Sequence, residues 1–322
     1  MRRAVALLAA VALLAGLAGC GDDGAEPGVP KGATVLLDFI PNAVHSGLYA
    51  GQAEGFYEDA GVDLKIQQPG ESSDAPKLLA AGKVEFAILD IQDLGIARQQ
   101  GVDLVGIAAI VQQPLGSVIA RSDRGIAGPG DLEGKTVGVT GRPSDEAVVD
   151  SEVSADGGDP DKVKRVTIGF NAVSSLAAGK VDAATAFWNA EGVALQQQGV
   201  PVRIFKLGEF GAPTFPELIL TTSRKTLEKD PELVEAMIEA TEESYELAAT
   251  EPDQALDALL AASPELDRAE QQAQMDALGS ALKPAPLSTA VLGPWAEWAT
   301  ELGILERPEL DIDEAFAFDL QQ

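Results

Sequence analysis

The chain has 322 residues, with 51 Asp and Glu against 23 Lys and Arg, one His, one Cys and a formal charge of −28. So acidic a chain excludes a basic track for nucleic acid; one Cys and one His exclude an internal disulfide, a Cys-rich or multi-histidine metal site and a cysteine-ligated iron–sulfur cluster. The length suits two domains, the 46% of apolar residues are ample for packed cores, and the missing catalytic side chains favour binding over catalysis, with no cofactor and no metal.

Arg2 and Arg3 open the chain, and a small-and-apolar run of sixteen residues fills 4–19. That is short of the ~20 residues a membrane-spanning helix needs, so 1–19 reads as a secretory signal peptide. The run ends Leu17-Ala18-Gly19-Cys20, which resembles a bacterial lipobox whose cysteine is acylated after cleavage. Residues 20–32 have no apolar periodicity and read as a lipidated tether. Acyl chains, rather than a basic face, would hold so acidic a body at the extracytoplasmic side of the membrane.

From residue 34 the pattern alternates. Short β-rich runs fall at 34–40, 62–67, 84–90, 104–111, 117–121, 136–140, 165–169, 181–188, 202–207 and 218–222, with helical stretches between many of them. This predicts an α/β fold built of βα units with mostly parallel sheets. From about 223 onward the pattern turns helical, over 231–249, 253–262, 267–282 and 287–302, with Asp230 as N-cap and Pro231 at the first position of one helix. Residues 79–87 (LAAGKVEFA) echo 176–184 (LAAGKVDAA). Each is a helix end, a Gly stop with Lys beside it and a buried strand; the echo predicts either two lobes of related build or a favoured local connection.

In open α/β sheets ligands sit at the carboxyl ends of strands, which directs attention to four places. The first strand runs into Phe39-Ile40-Pro41-Asn42, where Asn42 can cap the next helical turn, and His45 falls in or near that first turn. A helix N-terminus disfavours imidazolium there, so the expected His45 is neutral, a structural hydrogen-bonder or, given the strand-end loop, a ligand contact. Asp90 ends the strand at 84–90. After 136–140, Ser144 or Asp145 can cap the next helix while neighbouring N–H groups hold a polar ligand atom. After 181–188, Trp188 offers a face for stacking, and Glu191 serves either the helix start or a ligand. The chain lacks G-x-G-x-x-G, a Walker lysine and G-x-S-x-G.

At these residues the sequence resembles the solute-binding proteins of ABC importers, in the branch related to fungal thiamine-pyrimidine synthase. The resemblance rests on Leu37-Asp38-Phe39-Ile40-Pro41-Asn42, His45-Ser46-Gly47-Leu48-Tyr49, Ala53-Glu54-Gly55-Phe56-Tyr57 and Trp188-Asn189-Ala190-Glu191-Gly192-Val193-Ala194-Leu195. It implies a two-lobed, type II periplasmic-binding-protein fold with the ligand between the lobes. Lobe I would comprise 31–119 and 214–322, and lobe II 120–213. Asn42 and His45 would touch ligand from the first lobe, Trp188 and Glu191 from the second; Phe39 stands where many relatives carry Trp. The implied ligand is a thiamine pyrimidine precursor of the formylaminopyrimidine or hydroxymethylpyrimidine type, delivered by a monomeric receptor to a membrane permease. Related receptors take riboflavin, aliphatic sulfonates, taurine or nitrate. The fungal relative is an enzyme that uses a cysteine-rich iron motif and pyridoxal phosphate; with Cys20 lipidated, no cysteine remains for that motif, so a receptor is expected rather than an enzyme.

Overall fold

The computed structural model describes residues 30–70 and 75–320. Cys20, the 1–19 signal and the tether up to residue 29 lie outside the described residues. Lys31 and Gly32, where the expected tether and the expected lobe I overlap, begin the first strand and pair with Val62 and Asp63.

Among the described residues the strands are β1 (Lys31–Leu36), β2 (Val62–Gln67), β3 (Phe86–Asp90), β4 (Leu104–Val111), β5 (Gly116–Arg121), β6 (Thr136–Val139), β7 (Lys164–Thr167), β8 (Ala183–Phe187), β9 (Val202–Lys206) and β10 (Leu218–Ser223). They form two five-stranded sheets, ordered β2-β1-β3-β10-β4 and β7-β6-β8-β5-β9. Inner strands β3 and β10 are covered on both faces: all five residues of β3 and all six of β10, its Thr221, Thr222 and Ser223 included, are buried. Edge strand β2 alternates at its start, with Val62 and Leu64 buried and Asp63 and Lys65 exposed.

The sheets are mixed rather than mostly parallel. β1 runs parallel to β2 and β3, and β6 to β7 and β8. β10 is antiparallel to β3 and β4, and β5 to β8 and β9. In each sheet the reversed strand is the one that has crossed over from the other sheet. The expected border between Ile119 and Ala120 therefore needs correction. It falls inside β5, every residue of which from Gly116 to Arg121 belongs to the second sheet's ladders, so the chain crosses at 112–115 and returns at 211–217.

The internal echo resolves to one position in two equivalent sheets. The helices Ala75–Ala80 and Ala172–Ala177 stop at Gly82 and Gly179, whose φ of 61° and 65° require the left-handed region. The Gly N–H groups reach the carbonyls of Leu79 and Leu176, and those of Lys83 and Lys180 reach Leu78 and Ser175, at 2.9–3.0 Å. Glu85 then accepts from the Thr34 N–H, and Asp182 from the Thr136 N–H, each at 2.9 Å. The strands after these turns, β3 and β8, stand third in their sheets. The same local connection thus stands at equivalent places in the two sheets.

The helical tail packs onto the first sheet. Asp230 caps the helix Pro231–Thr250 by accepting from the Leu233 N–H, and Tyr245 of that helix donates to the Val44 carbonyl at 2.9 Å. One apolar cluster joins Leu36 and Leu89 of the first sheet to Val118 and Val137 of the second, with Trp295 of the tail among them. Among the described residues no helix is long and apolar enough to cross a membrane.

Candidate functional site

The loop after β1 is built around Asp38. Asn42 caps the turn Ala43–His45: its Oδ1 accepts from the Val44 N–H at 3.0 Å and its Nδ2 donates to the Ile40 carbonyl at 3.1 Å. The Asn42 N–H donates to His45 Nδ1 at 3.2 Å, which leaves the imidazole proton on Nε2, 2.8 Å from Asp38 Oδ1. His45 is 0% exposed. Both of its nitrogens, and both ends of the Asn42 amide, are spent inside the loop. Sequence reasoning expected contact with ligand from both residues; His45 lies behind the wall and orients Asp38, while Asn42 lines a neighbouring cavity of about 390 Å³ with Phe39, Phe170 and Glu191.

At the end of β3, Asp90 caps the helix Ile91–Gln99 through the Gln92 N–H at 2.8 Å. Its carboxyl hydrogen-bonds to that of Glu217, whose Oε2 accepts from the Leu115 and Gly116 N–H groups. Burial, and then the neighbouring Glu217, push Asp90 well above the usual carboxylate range; burial also raises Glu217. The two backbone donors favour the ionised form on Glu217, so Asp90 carries the shared proton.

The second sheet supplies the opposite wall. Asp145, in the first turn of the helix Pro143–Ala155, accepts through Oδ2 from the N–H groups of Thr140, Gly141 and Arg142, and through Oδ1 from the Thr185 hydroxyl. This fold of the loop throws Arg142 across the gap between the sheets. Its Nη2 donates to the Asp38 carbonyl, its guanidinium carbon stands 5.5 Å from the centre of the Phe170 ring, and its Nε is 3.9 Å from Asp93 Oδ2. Phe170 in turn meets Phe39 edge-on, with centroids 4.7 Å apart at 78°. Glu191 opens the helix Glu191–Gln197 and accepts from the Phe187 N–H at 3.1 Å; burial pushes its carboxyl up to about 7.

Phe39, Asp90, Ser144 and Glu191 therefore share the wall of one cleft of about 50 Å³ between the sheets, together with Phe170 and Phe187. Arg142 and Asp38 border it on one side and a larger cavity of about 260 Å³ on the other. Trp188 is a correction. Its Nε1–H donates to the Pro114 carbonyl at 3.0 Å, Lys206 Nζ stands 3.9 Å from its ring centre, and it is 8% exposed. The ring packs against the crossing at 112–115 and offers no face to the cleft. Sequence reasoning missed Arg142, Asp38 and Glu217 as parts of the site. The only available signal for Arg142 was a cation between Gly141 and Pro143 at a strand end.

A model of the NMT1/THI5-like family matches residues 42–255. The chain is 32% identical over 227 residues to the formylaminopyrimidine-binding protein of Halalkalibacterium halodurans, covering 70% of this chain and 69% of that one. It is 28% identical over 236 residues to the 4-amino-5-hydroxymethyl-2-methylpyrimidine phosphate synthase of Legionella pneumophila, covering 72% and 74%. Among solved structures, the alkanesulfonate-binding protein SsuA of Xanthomonas axonopodis pv. citri superposes with a TM-score of 0.73 at 17% identity, over 89% of this chain and 98% of that one. At that identity the likeness is one of fold, the two-lobed architecture of periplasmic binding proteins.

Proposed function

The chain belongs to the NMT1/THI5-like family, and from that membership we propose that it is the solute-binding protein of an ABC importer, capturing a thiamine pyrimidine precursor of the formylaminopyrimidine or hydroxymethylpyrimidine type for a membrane permease. The observation that carries this reading is the chemistry of the cleft. Carboxyl groups of Asp38, Asp90, Asp145 and Glu191 line it beside three phenylalanine rings, with Arg142 as the cation among them. Such a wall accepts hydrogen bonds and packs against a flat ring, which suits an aminopyrimidine. Sulfonate, taurine's sulfonate end and nitrate bring negative charge and acceptors, and would meet carboxylates in a low dielectric. A micromolar affinity corresponds to ~8 kcal/mol, within reach of one packed ring and several hydrogen bonds.

In this reading the ligand seats between the strand ends of the two sheets, Glu191 accepts from its exocyclic amine, and binding shifts the lobes toward a closed form that docks on the permease. We read the protein as a receptor and not a synthase. Its one histidine is held between Asn42 and Asp38, which leaves no free imidazole for proton transfer. Titration calorimetry against formylaminopyrimidine, hydroxymethylpyrimidine, riboflavin, taurine and nitrate tests the assignment. Pyrimidines should give micromolar or tighter binding; heat from a sulfonate or nitrate but from neither pyrimidine overturns it.

The same reading makes the protein a monomer on the extracytoplasmic face, held by a lipid at Cys20. Expressed in a bacterium that processes lipoproteins, the chain should partition with membranes, and Cys20→Ser should move it to the soluble fraction. Membrane retention of the Cys20→Ser protein would sink the anchor.

A further inference from the structure

Resting on that reading of a receptor whose lobes open and close, we propose that Arg142 is an autoinhibitory clasp: it ties the lobes together across the cleft, and solute enters only once the tie breaks. Arg142 springs from the second lobe, and its Nη2 donates to the Asp38 carbonyl of the first. Its guanidinium carbon lies 5.5 Å from the centre of the Phe170 ring, and Phe170 meets Phe39 of the first lobe edge-on at 4.7 Å. Asp93, in the first turn of the first-lobe helix Ile91–Gln99, places a carboxylate oxygen 3.9 Å from Arg142 Nε. Away from the cleft, Gln197 of the second lobe donates to the Ala269 carbonyl of the helical tail at 3.2 Å.

Both halves of the clasp are set before they meet. Asp38 is held by His45, and the turn at Thr140–Arg142 by Asp145, so little conformational entropy opposes the contact. A charged donor on a carbonyl, a cation beside a ring and an edge-on aromatic pair together bias an open–closed population. Space decides what the clasped form can hold. A cavity of ~150 Å³ takes benzene, and the clasped walls leave about 50 Å³ beside Phe39, Phe170 and Glu191. A methylated, amino-bearing pyrimidine is bulkier than benzene. Arg142 and Asp38 border both this space and the 260 Å³ cavity, so the clasp also divides the two. The contact therefore competes with solute for the cleft rather than adding to its grip.

Spin labels on exposed Val166 of the second lobe and Val291 of the helical tail, in Cys20→Ser protein, report lobe separation by pulsed dipolar spectroscopy. Without solute, the protein that keeps Arg142 should show mainly the shorter separation. Arg142→Met should move the population toward the longer one by about tenfold. Stopped-flow mixing with formylaminopyrimidine or hydroxymethylpyrimidine should show association about tenfold faster in Arg142→Met. Faster association separates a clasp from a ligand contact, whose loss raises dissociation instead. Arg142→Lys keeps the charge but loses the planar fork; it takes the place of a Met variant that does not melt cooperatively, and both readings should move the same way. Identical separations with and without Arg142 overturn the inference, as does association that is unchanged or slower in the folded variants. If neither pyrimidine binds, the pyrimidine assignment falls, and the spin-label separations still decide the clasp.

Discussion

Glu191 shows how burial changes what a residue type can do. In the first turn of a helix a carboxylate is ordinarily stabilised by the N-terminal dipole, and one oxygen here does accept from the Phe187 N–H. Burial outweighs both effects and lifts the group to about 7. If the ligand's exocyclic amine donates to the ionised form, binding must first remove the proton at acid pH. Affinity for an aminopyrimidine should then rise as pH rises through 7 and be about tenfold weaker at pH 6 than at pH 8. Glu191→Gln cannot ionise, so its profile should lose this step and lie below the unsubstituted protein at pH 8. Calorimetry at pH 6, 7 and 8 on both proteins decides the matter. An identical slope in the Gln variant, or affinity that falls with pH in the unsubstituted protein, would remove Glu191 from this role.

At the scale of elements, the sequence was most informative where a pattern depends on near neighbours. β2 and β4 begin and end where their apolar runs do, at Val62–Gln67 and Leu104–Val111. The predicted helix at 267–282 is the α-helix Arg268–Leu278 followed by a 3-10 turn, Gly279–Leu282, because Gly279 adopts φ 52°. Strand direction was not legible, since it depends on which strands cross between sheets, and no local pattern records a crossing. The same limit explains the misplaced side chains. Trp188 is held by Pro114 and Lys206, and Arg142 by Asp38, 104 residues earlier. The sequence marked Phe39, Asp90, Ser144 and Glu191 because strand ends and helix starts are themselves local signals. It ascribed ligand contact to Asn42 and His45 because their motif adjoins the site, while a relay through Asn42 N–H, His45 and Asp38 becomes visible only when the loop is folded.

For the molecule as a whole, the decisive residue is the one that ties the two crossings together. Glu217 closes the return segment 211–217: its N–H donates to the Val111 carbonyl, its carbonyl accepts from the Ile91 N–H, and its carboxylate accepts from Leu115 and Gly116. It thereby joins the end of β4, the start of the helix Ile91–Gln99 and the crossing at 112–115, and through Asp90 it reaches the wall of the cleft. Both carboxyl groups are raised above their ordinary values by burial. A group whose folded-state pKa is raised contributes stability that is fully present below its unfolded pKa and is lost as pH rises through the folded value. Glu217→Gln keeps an oxygen for Leu115 and Gly116 and an amide N–H for Asp90, yet brings no buried charge. Its melting temperature relative to the unsubstituted protein should therefore climb steadily from pH 5 to pH 9. Glu217→Ala strips the two N–H groups of their acceptor and leaves a void, so it should be less stable at every pH, by roughly 2–4 kcal/mol. Melting curves of the three proteins across that range check both statements. A Gln-minus-unsubstituted difference that stays flat or shrinks with pH would mean the pair does not hold a shared proton, and the crossings would then owe their geometry to the backbone bonds alone.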